Sequence, residues 1–149
     1  MYPGLMGKAE MIVGEEDLVS QIGGVAARVL STPRLIELLE AAAVDAVGEF
    51  LGPEQMSLGS RVKIRHLSPT PPGMKVIAHA ILKEIKDRHL LFWVDAHDEV
   101  EKVAEGEHER VLVSKDKFLL KIEKKRVNPA VPKADGGLSG KGRGDAGYG

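Results

Sequence analysis

The sequence predicts an α+β fold in which an antiparallel sheet of about five strands wraps around one long central helix. Only one stretch, residues 33–51, repeats its apolar residues with a helical period, whereas several later stretches alternate apolar and polar residues with the period of a strand. Short polar links join successive strands, which favours hairpins and therefore antiparallel neighbours. A single apolar helix must bury its face against that sheet.

The helix is predicted to run from Pro33 to about Leu51. Thr32 stands before Pro33, as expected for a capping hydroxyl followed by a proline at the first helical position. Glycine and proline follow Leu51 and end the helix. At about 100° per residue one broad face is apolar, and the charged residues gather opposite it. The predicted core face comprises Leu35, Ile36, Leu39, Ala42, Ala43, Ala46, Val47 and Phe50.

Strands are predicted on both sides of the helix. A short one around Met11–Val13 precedes it, and four follow it, at 61–66, 74–85, 89–96 and 107–113. The link Lys86-Asp87-Arg88 suits a hairpin. In the first of the four, Val62, Ile64 and His66 point one way and three cations point the other.

Composition restricts the class of protein and its chemistry. A chain of 149 residues with 43% hydrophobic residues forms one domain, expected here over residues 1–128. The net charge of -1 does not favour nucleic acid as a partner, and no apolar run reaches the roughly 20 residues that span a bilayer. We therefore expect a cytoplasmic protein. With no cysteine, the chemistry must use hydroxyl, carboxylate or imidazole groups.

The C-terminal part is predicted to be less ordered. Residues 129–149 are rich in glycine and carry almost no large apolar side chain, so we expect a flexible tail. The preceding segment, Lys117–Arg126, holds five cations and one acid. We interpret it as the solvated end of a strand, with contact to the phosphates of coenzyme A (CoA) as the alternative.

Two residues occupy unexpected faces of their predicted elements. Glu40 falls outside the charged arc of the helix and should be at least partly buried, so it is either a structural ion-pair member or a functional acid or base. His66 lies on the apolar side of its strand. It is either a satisfied core histidine or the best general-base candidate, because neutral imidazole accepts a proton near pH 7.

The start of the helix offers a third candidate. Thr32 is explained as a cap alone, but a hydroxyl beside free helix N-terminal amides also sits in a field that stabilises an anion. Pro33 has no N–H, so Arg34 and Leu35 would supply the nearest backbone donors. The remaining histidines, at positions 79, 89, 97 and 108, have no partner at helix or finger spacing, so neither a metal site nor a cofactor is expected.

Several short motifs follow one another over roughly Val29–Phe118: Thr32-Pro33, Leu39-Glu40-Ala41, Ser57-Leu58-Gly59-Ser60, His66, Thr70-Pro71-Pro72-Gly73, Ala96-His97-Asp98 and Gly106-Glu107-His108-Glu109-Arg110. In this order and spacing they resemble one known family, the fluoroacetyl-CoA thioesterases. The resemblance implies a hotdog fold, a homodimer and hydrolysis of small acyl-CoA thioesters. It places a Thr/Glu/His catalytic set on Thr32, Glu40 and His66. The oxyanion would be held by backbone donors near Gly59 or the helix start.

The sequence also departs from this family. Its fluoroacetyl-specific member carries aromatic residues before the catalytic threonine, whereas Ile22–Ala27 has none, and the tryptophan after the family glutamate is Ala41 here. General short-chain acyl-CoA hydrolysis is therefore expected. Two other functions remain open: an acyl-CoA binding module without turnover, and a hotdog enoyl-CoA hydratase or dehydratase.

Overall fold

A computed structural model describes residues 1–19 and 27–127. The predicted tail at 129–149 and most of the segment Ile22–Ala27 lie outside the described residues. Two short 3-10 turns, at Glu15–Asp17 and Gly48–Phe50, accompany the main elements. These are β1 (Met6–Ile12), α1 (Thr32–Val47), β2 (Gln55–His66), β3 (Lys75–Lys86), β4 (His89–His97), β5 (Lys102–Ser114) and α2 (Lys115–Val127).

The five strands form one antiparallel sheet in the order β1-β3-β4-β5-β2. The predicted hairpin joins β3 to β4, where Lys86 pairs with His89 and Asp87 adopts a φ of 56°. Aspartate tolerates this left-handed conformation better than most residues. Strands β1 and β2 are the two edges of the sheet. The predicted α+β architecture is confirmed.

Helix α1 lies close against the inner face of the sheet. Its buried side chains are Leu35, Leu38, Leu39, Ala42, Ala43, Ala46 and Val47. Small residues on both partners allow a short separation, and Gly7 of β1 is the extreme case: a Cβ there would overlap the backbone of α1 at Ala42 and Ala46. The core of the domain is therefore the layer between α1 and the sheet.

Several boundaries and faces differ from the sequence prediction. The helix is capped by Ser31, whose Oγ accepts a hydrogen bond from the Arg34 N–H at 3.3 Å, so Thr32 is the first helical residue and not the cap. Leu38 is buried, whereas Phe50 is 39% exposed and packs edge-to-face on Tyr2. Strand β1 begins at Met6, five residues earlier than expected.

The segment Lys117–Arg126 is not a strand end. It belongs to α2, which begins as soon as β5 stops at Ser114. Lysine, leucine and glutamate favour helix, and Phe118 and Ile122, four residues apart, are the least exposed side chains of this helix. Among the described residues, neither helix is long and apolar enough to cross a membrane.

Candidate active site

The start of α1 and the end of β2 bring two of the predicted reactive groups together. Thr32 Oγ1 lies 2.8 Å from His66 Nδ1, within hydrogen-bond distance. Since Ser31 provides the helix cap, the Thr32 hydroxyl is not needed there and is exposed. A hydroxyl held against an imidazole nitrogen is the arrangement in which the imidazole can accept the hydroxyl proton.

His66 is held in a form that suits a base. Burial lowers the pKa of His66 below its ordinary value, although a backbone hydrogen bond at Ser68 opposes that effect. The ring is therefore neutral at neutral pH. Its second nitrogen, Nε2, is buried and has no hydrogen-bond partner among the described residues. When Nδ1 accepts the Thr32 hydroxyl proton, Nε2 carries a hydrogen that needs an acceptor.

These two residues border an open cleft of about 340 Å³. The described residues that line it are mainly aliphatic, with Thr32, His66 and Ser68 supplying its polar side chains. The others are Val19, Val29, Leu30, Leu67 and Pro69. An apolar cleft with a few convergent polar groups is the usual form of a small-molecule site.

Glu40 belongs to a different cluster, built where α1 crosses β2 and β5. Its Oε2 accepts a hydrogen bond from Arg110 Nη1 at 3.0 Å, and its side chain remains 36% exposed. Gly59 lies directly beneath this carboxylate, because a Cβ at position 59 would overlap Glu40 Oε2. The glutamate is thus an ion-pair member that still reaches solvent.

Buried polar groups hold Arg110 in place. Its Nε and Nη2 donate to Ser57 Oγ and to the Ser57 carbonyl, both at 2.9 Å. His108 Nδ1 donates to the Arg61 carbonyl at 2.8 Å, which leaves His108 Nε2 as the acceptor for Arg110 Nη1 at 3.0 Å. Burial lowers the pKa of His108, and the positive charge of Arg110 contributes in the same direction. His108 is therefore a neutral acceptor that orients Arg110 toward Glu40.

Within one chain the two clusters stand apart. Eight residues of helix separate Thr32 from Glu40, or about 12 Å along the axis. On β2, Gly59 lies beneath Glu40 and His66 contacts Thr32. These two residues are seven positions apart, or roughly 20 Å along the strand. The structure thus brings Thr32 and His66 together but leaves Glu40 with Arg110.

The expected donors at the helix start are already engaged. The Arg34 N–H bonds to Ser31 Oγ, and the Leu35 N–H bonds to the Ser31 carbonyl at 3.0 Å. The Arg34 side chain donates to the buried Asp17 at 2.8 Å. Arg34 and Leu35 therefore brace the N-terminus of α1 in this structure. Near Gly59, by contrast, a β-bulge interrupts the pairing of β2 with β5.

Sequence reasoning did not single out Arg110 and His108 as site residues. A signal existed in the alternation along β5, since both alternate with Glu107 and Glu109 and must therefore face the opposite side of the sheet. Both side chains are buried, at 5% and 1% exposure respectively.

Comparison with known proteins gives a consistent result. A family model described as fluoroacetyl-CoA-specific thioesterase matches residues 13–116. The fluoroacetyl-CoA thioesterase of Streptantibioticus cattleyicolor is 36% identical over 97 residues, which make up 65% of this chain and 70% of that protein. A solved structure of a fluoroacetyl-CoA thioesterase has a TM-score of 0.79 at 30% identity and covers 84% of this chain and 97% of its own.

More distant structures agree on the fold. A Thermus thermophilus protein described as a thioesterase superfamily member has a TM-score of 0.76 at 27% identity, covering 85% of this chain and 95% of its own. A hot-dog-like protein from Thermanaerovibrio acidaminovorans has a TM-score of 0.76 at 23% identity, covering 83% and 91%. The predicted hotdog fold is confirmed.

Proposed function

The chain belongs to the fluoroacetyl-CoA-specific thioesterase family and is an acyl-CoA thioesterase, and from this premise we propose that it hydrolyses small acyl-CoA thioesters with Thr32, His66 and Glu40 as reacting groups. The observation that carries the proposal is the 2.8 Å contact between Thr32 Oγ1 and His66 Nδ1 beside the cleft. The products are a free acid and CoA.

The proton path follows from the neutral state of His66. As Thr32 Oγ1 bonds to the thioester carbonyl carbon, its proton passes to His66 Nδ1. Collapse of the tetrahedral intermediate breaks the C–S bond, and the thiolate of CoA takes that proton from His66. Water then attacks the acyl-threonine with the same imidazole as general base, which releases the acid and restores the hydroxyl.

A water molecule held by Thr32 and activated by His66 is the other route with the same groups. In that case water attacks the thioester directly, and no bond forms to Thr32. Acid quenching during turnover, followed by mass spectrometry of the peptide that carries Thr32, distinguishes the routes. An acyl adduct on Thr32 is formed only in the first.

We propose that Glu40 reaches this chemistry from a second subunit. Strand β2 is an edge of 12 residues whose outer side has no partner strand among the described residues, and Val62 on it is 38% exposed. Two such edges can pair antiparallel about a twofold axis. The Gly59 end of one β2 then lies beside the His66 end of the other. This supports a homodimer in which Glu40 of the partner subunit accepts the hydrogen on His66 Nε2.

The same arrangement provides the oxyanion site. The bulge between Gly59 and Arg61 removes Ser60 from the regular register, although its hydroxyl donates to the Glu109 carbonyl at 3.2 Å, so the pairing of backbone groups is irregular at this point. Arg110 adds positive charge close by. We propose that a backbone amide near Gly59 stabilises the developing oxyanion, a contribution typically worth about 10²–10³ in rate.

A substrate panel tests the proposed function. Release of free thiol is followed with a thiol reagent for acetyl-, fluoroacetyl-, propionyl-, butyryl- and palmitoyl-CoA; the protein contributes no signal because it has no cysteine. We expect kcat/KM for the short acyl groups to exceed that for palmitoyl by at least about tenfold. The many additional methylenes of palmitoyl do not fit a small acyl pocket, and even one methylene can change kcat/KM by that factor. Since the described cleft residues include no aromatic side chain, we expect no strong preference for fluoroacetyl over acetyl.

The panel also separates the two other functions. Thiol release no faster than that of a Thr32→Ala/His66→Ala double variant, combined with tight acyl-CoA binding, would mean a binding module. Loss of enoyl absorbance from crotonyl-CoA without thiol release would mean a hydratase. A preference for palmitoyl-CoA would contradict the proposed substrate size.

A further inference from the structure

Two histidines and an aspartate form a cluster on the outer face of the sheet, and we propose that it binds a first-row divalent metal ion of the Zn²⁺ type. The residues are His79 on β3 and Asp95 and His97 on β4. No helical or zinc-finger metal-binding motif in the sequence predicts this cluster. They meet because His79 is the cross-strand partner of Asp95 and His97 follows Asp95 by two positions on the same face.

The separations of the donor atoms fit tetrahedral coordination. Asp95 Oδ1 lies 3.4 Å from His79 Nδ1 and 3.7 Å from His97 Nδ1, and all three atoms lie within 4.8 Å of one another. For metal–ligand bonds of about 2.0–2.1 Å, the edge of a tetrahedron is about 3.3–3.4 Å. The first of these separations already matches that edge, and the second exceeds it by about 0.3 Å.

Asp95 provides an independent observation. Its Oδ1 is shielded from solvent and has no hydrogen-bond donor among the described residues, although the side chain as a whole is 27% exposed. A carboxylate oxygen in this position lacks the partner that a shielded acceptor normally has. A cation placed between the two imidazoles would satisfy it.

The neighbouring charges permit a cation at this place. Lys102 lies opposite His97, but its ammonium is paired with Glu105 at 3.0 Å. Lys8, opposite His79, has Glu10 as its partner at 4.0 Å. Each nearby lysine is thus accompanied by a carboxylate, and Lys102 interacts with Asp95 more weakly than with its partner Glu105.

The ligand types restrict the choice of metal. Two imidazoles and one carboxylate suit zinc and its neighbours in the first transition row and are poor ligands for calcium or magnesium. The cluster is separate from the reacting groups, because adjacent strand residues Ala78, Ala80, Val94 and Ala96 are buried toward α1 while these three side chains point away from it. The metal would tie β3 to β4 on the outside of the sheet.

Metal titration of the untagged, chelator-treated protein tests this site. Isothermal titration with ZnCl2 should show saturable binding of one ion per chain, and CoCl2 should give the visible absorption of a cobalt ion bound by nitrogen and oxygen. His79→Ala, Asp95→Asn and His97→Ala should each weaken binding by at least about tenfold, since even loss of an outer-shell partner costs 10- to 100-fold.

The control is His89→Ala, which removes another exposed histidine from the same sheet and should leave binding unchanged. Thermal melting without metal checks that each variant is folded. Absence of saturable binding in the native protein overturns the proposal. So does equal weakening in His89→Ala, or unchanged binding in the three cluster variants.

Discussion

At the scale of single residues, the state of His66 determines what the site can do. In the proposed mechanism the ring accepts a proton from Thr32 only while it is neutral, and burial lowers its pKa, so the neutral form persists into mildly acidic solution. A carboxylate supplied by a partner subunit would oppose this effect, because a nearby negative charge raises the pKa of a histidine.

The pH dependence of kcat/KM should reflect the pKa of His66. In the proposed mechanism protonation of His66 abolishes activity, so the rate should fall on the acidic side. Burial moves the midpoint below the ordinary histidine value of about 6.5, whereas pairing with Glu40 of the partner subunit moves it upward. Proton NMR of the histidine Cε1–H resonances, with His66→Ala for assignment, should give the same midpoint for His66. A kinetic midpoint that differs from that of the His66 resonance, or one that follows the His108 resonance, would contradict this role.

Glu40 shows how a residue can be structural and available for chemistry at once. Its sequence position left two interpretations, an ion-pair member or an acid or base. The structure provides the ion pair, with Arg110 fixed by Ser57 and His108, while leaving the carboxylate partly exposed beside Gly59. A carboxylate paired and oriented in this way is preorganised to accept a hydrogen bond from a neighbouring group.

At the scale of elements, the contact between β1 and α1 depends on Gly7. A Cβ there would overlap the helix backbone, which cannot rotate away as a side chain can. We expect Gly7→Ala to lower the free energy of unfolding by about 1–3 kcal/mol through overpacking. Urea denaturation at a fixed protein concentration measures this.

Gly48→Ala is the matched control for Gly7→Ala. Gly48 ends the same helix with φ and ψ of -54° and -42°, and a Cβ there would meet nothing within 4 Å. This variant should be neutral or slightly more stable, because alanine restricts the unfolded chain. Equal stabilities of the two variants would show that β1 does not approach α1 as closely as described.

The elements that were predicted well from the sequence are those in which buried residues recur with a single helical or strand period. Helix α1 and strands β3 and β4 each bury one continuous face, and their hydrophobic patterns report it directly. Helix α2 was misread because it has no buried residue, so its pattern contained little information beyond helix propensity. Ser31 was missed as the cap because Thr32 before a proline satisfied the same rule.

At the scale of the whole molecule, the candidate site was only partly predictable. Periodicity placed Glu40 and His66 inward, and both are of intermediate burial, whereas Glu37 on the same helix and Arg65 on the same strand are exposed. What one sequence pattern cannot express is distance between elements. The pairing of β2 with β5 brings Arg110 to Glu40, and the pairing of β3 with β4 brings His79 to Asp95. Both depend on register, which becomes visible only in the folded sheet.

The shared-site model makes a prediction about mixed dimers. Thr32→Ala and Glu40→Gln homodimers should each lose about 10²-fold or more in kcat/KM. If each site takes Thr32 and His66 from one subunit and Glu40 from the other, a heterodimer of these variants holds one site with all groups intact. Random exchange makes about half the dimers mixed, so about a quarter of the native activity should return.

Mixing Thr32→Ala with His66→Ala is the control, because both groups lie in the same half-site and no intact site can form. Native mass spectrometry establishes that subunits have exchanged. Exchange without recovery in the first mixture, or equal recovery in both, would show that Glu40 does not act across the interface.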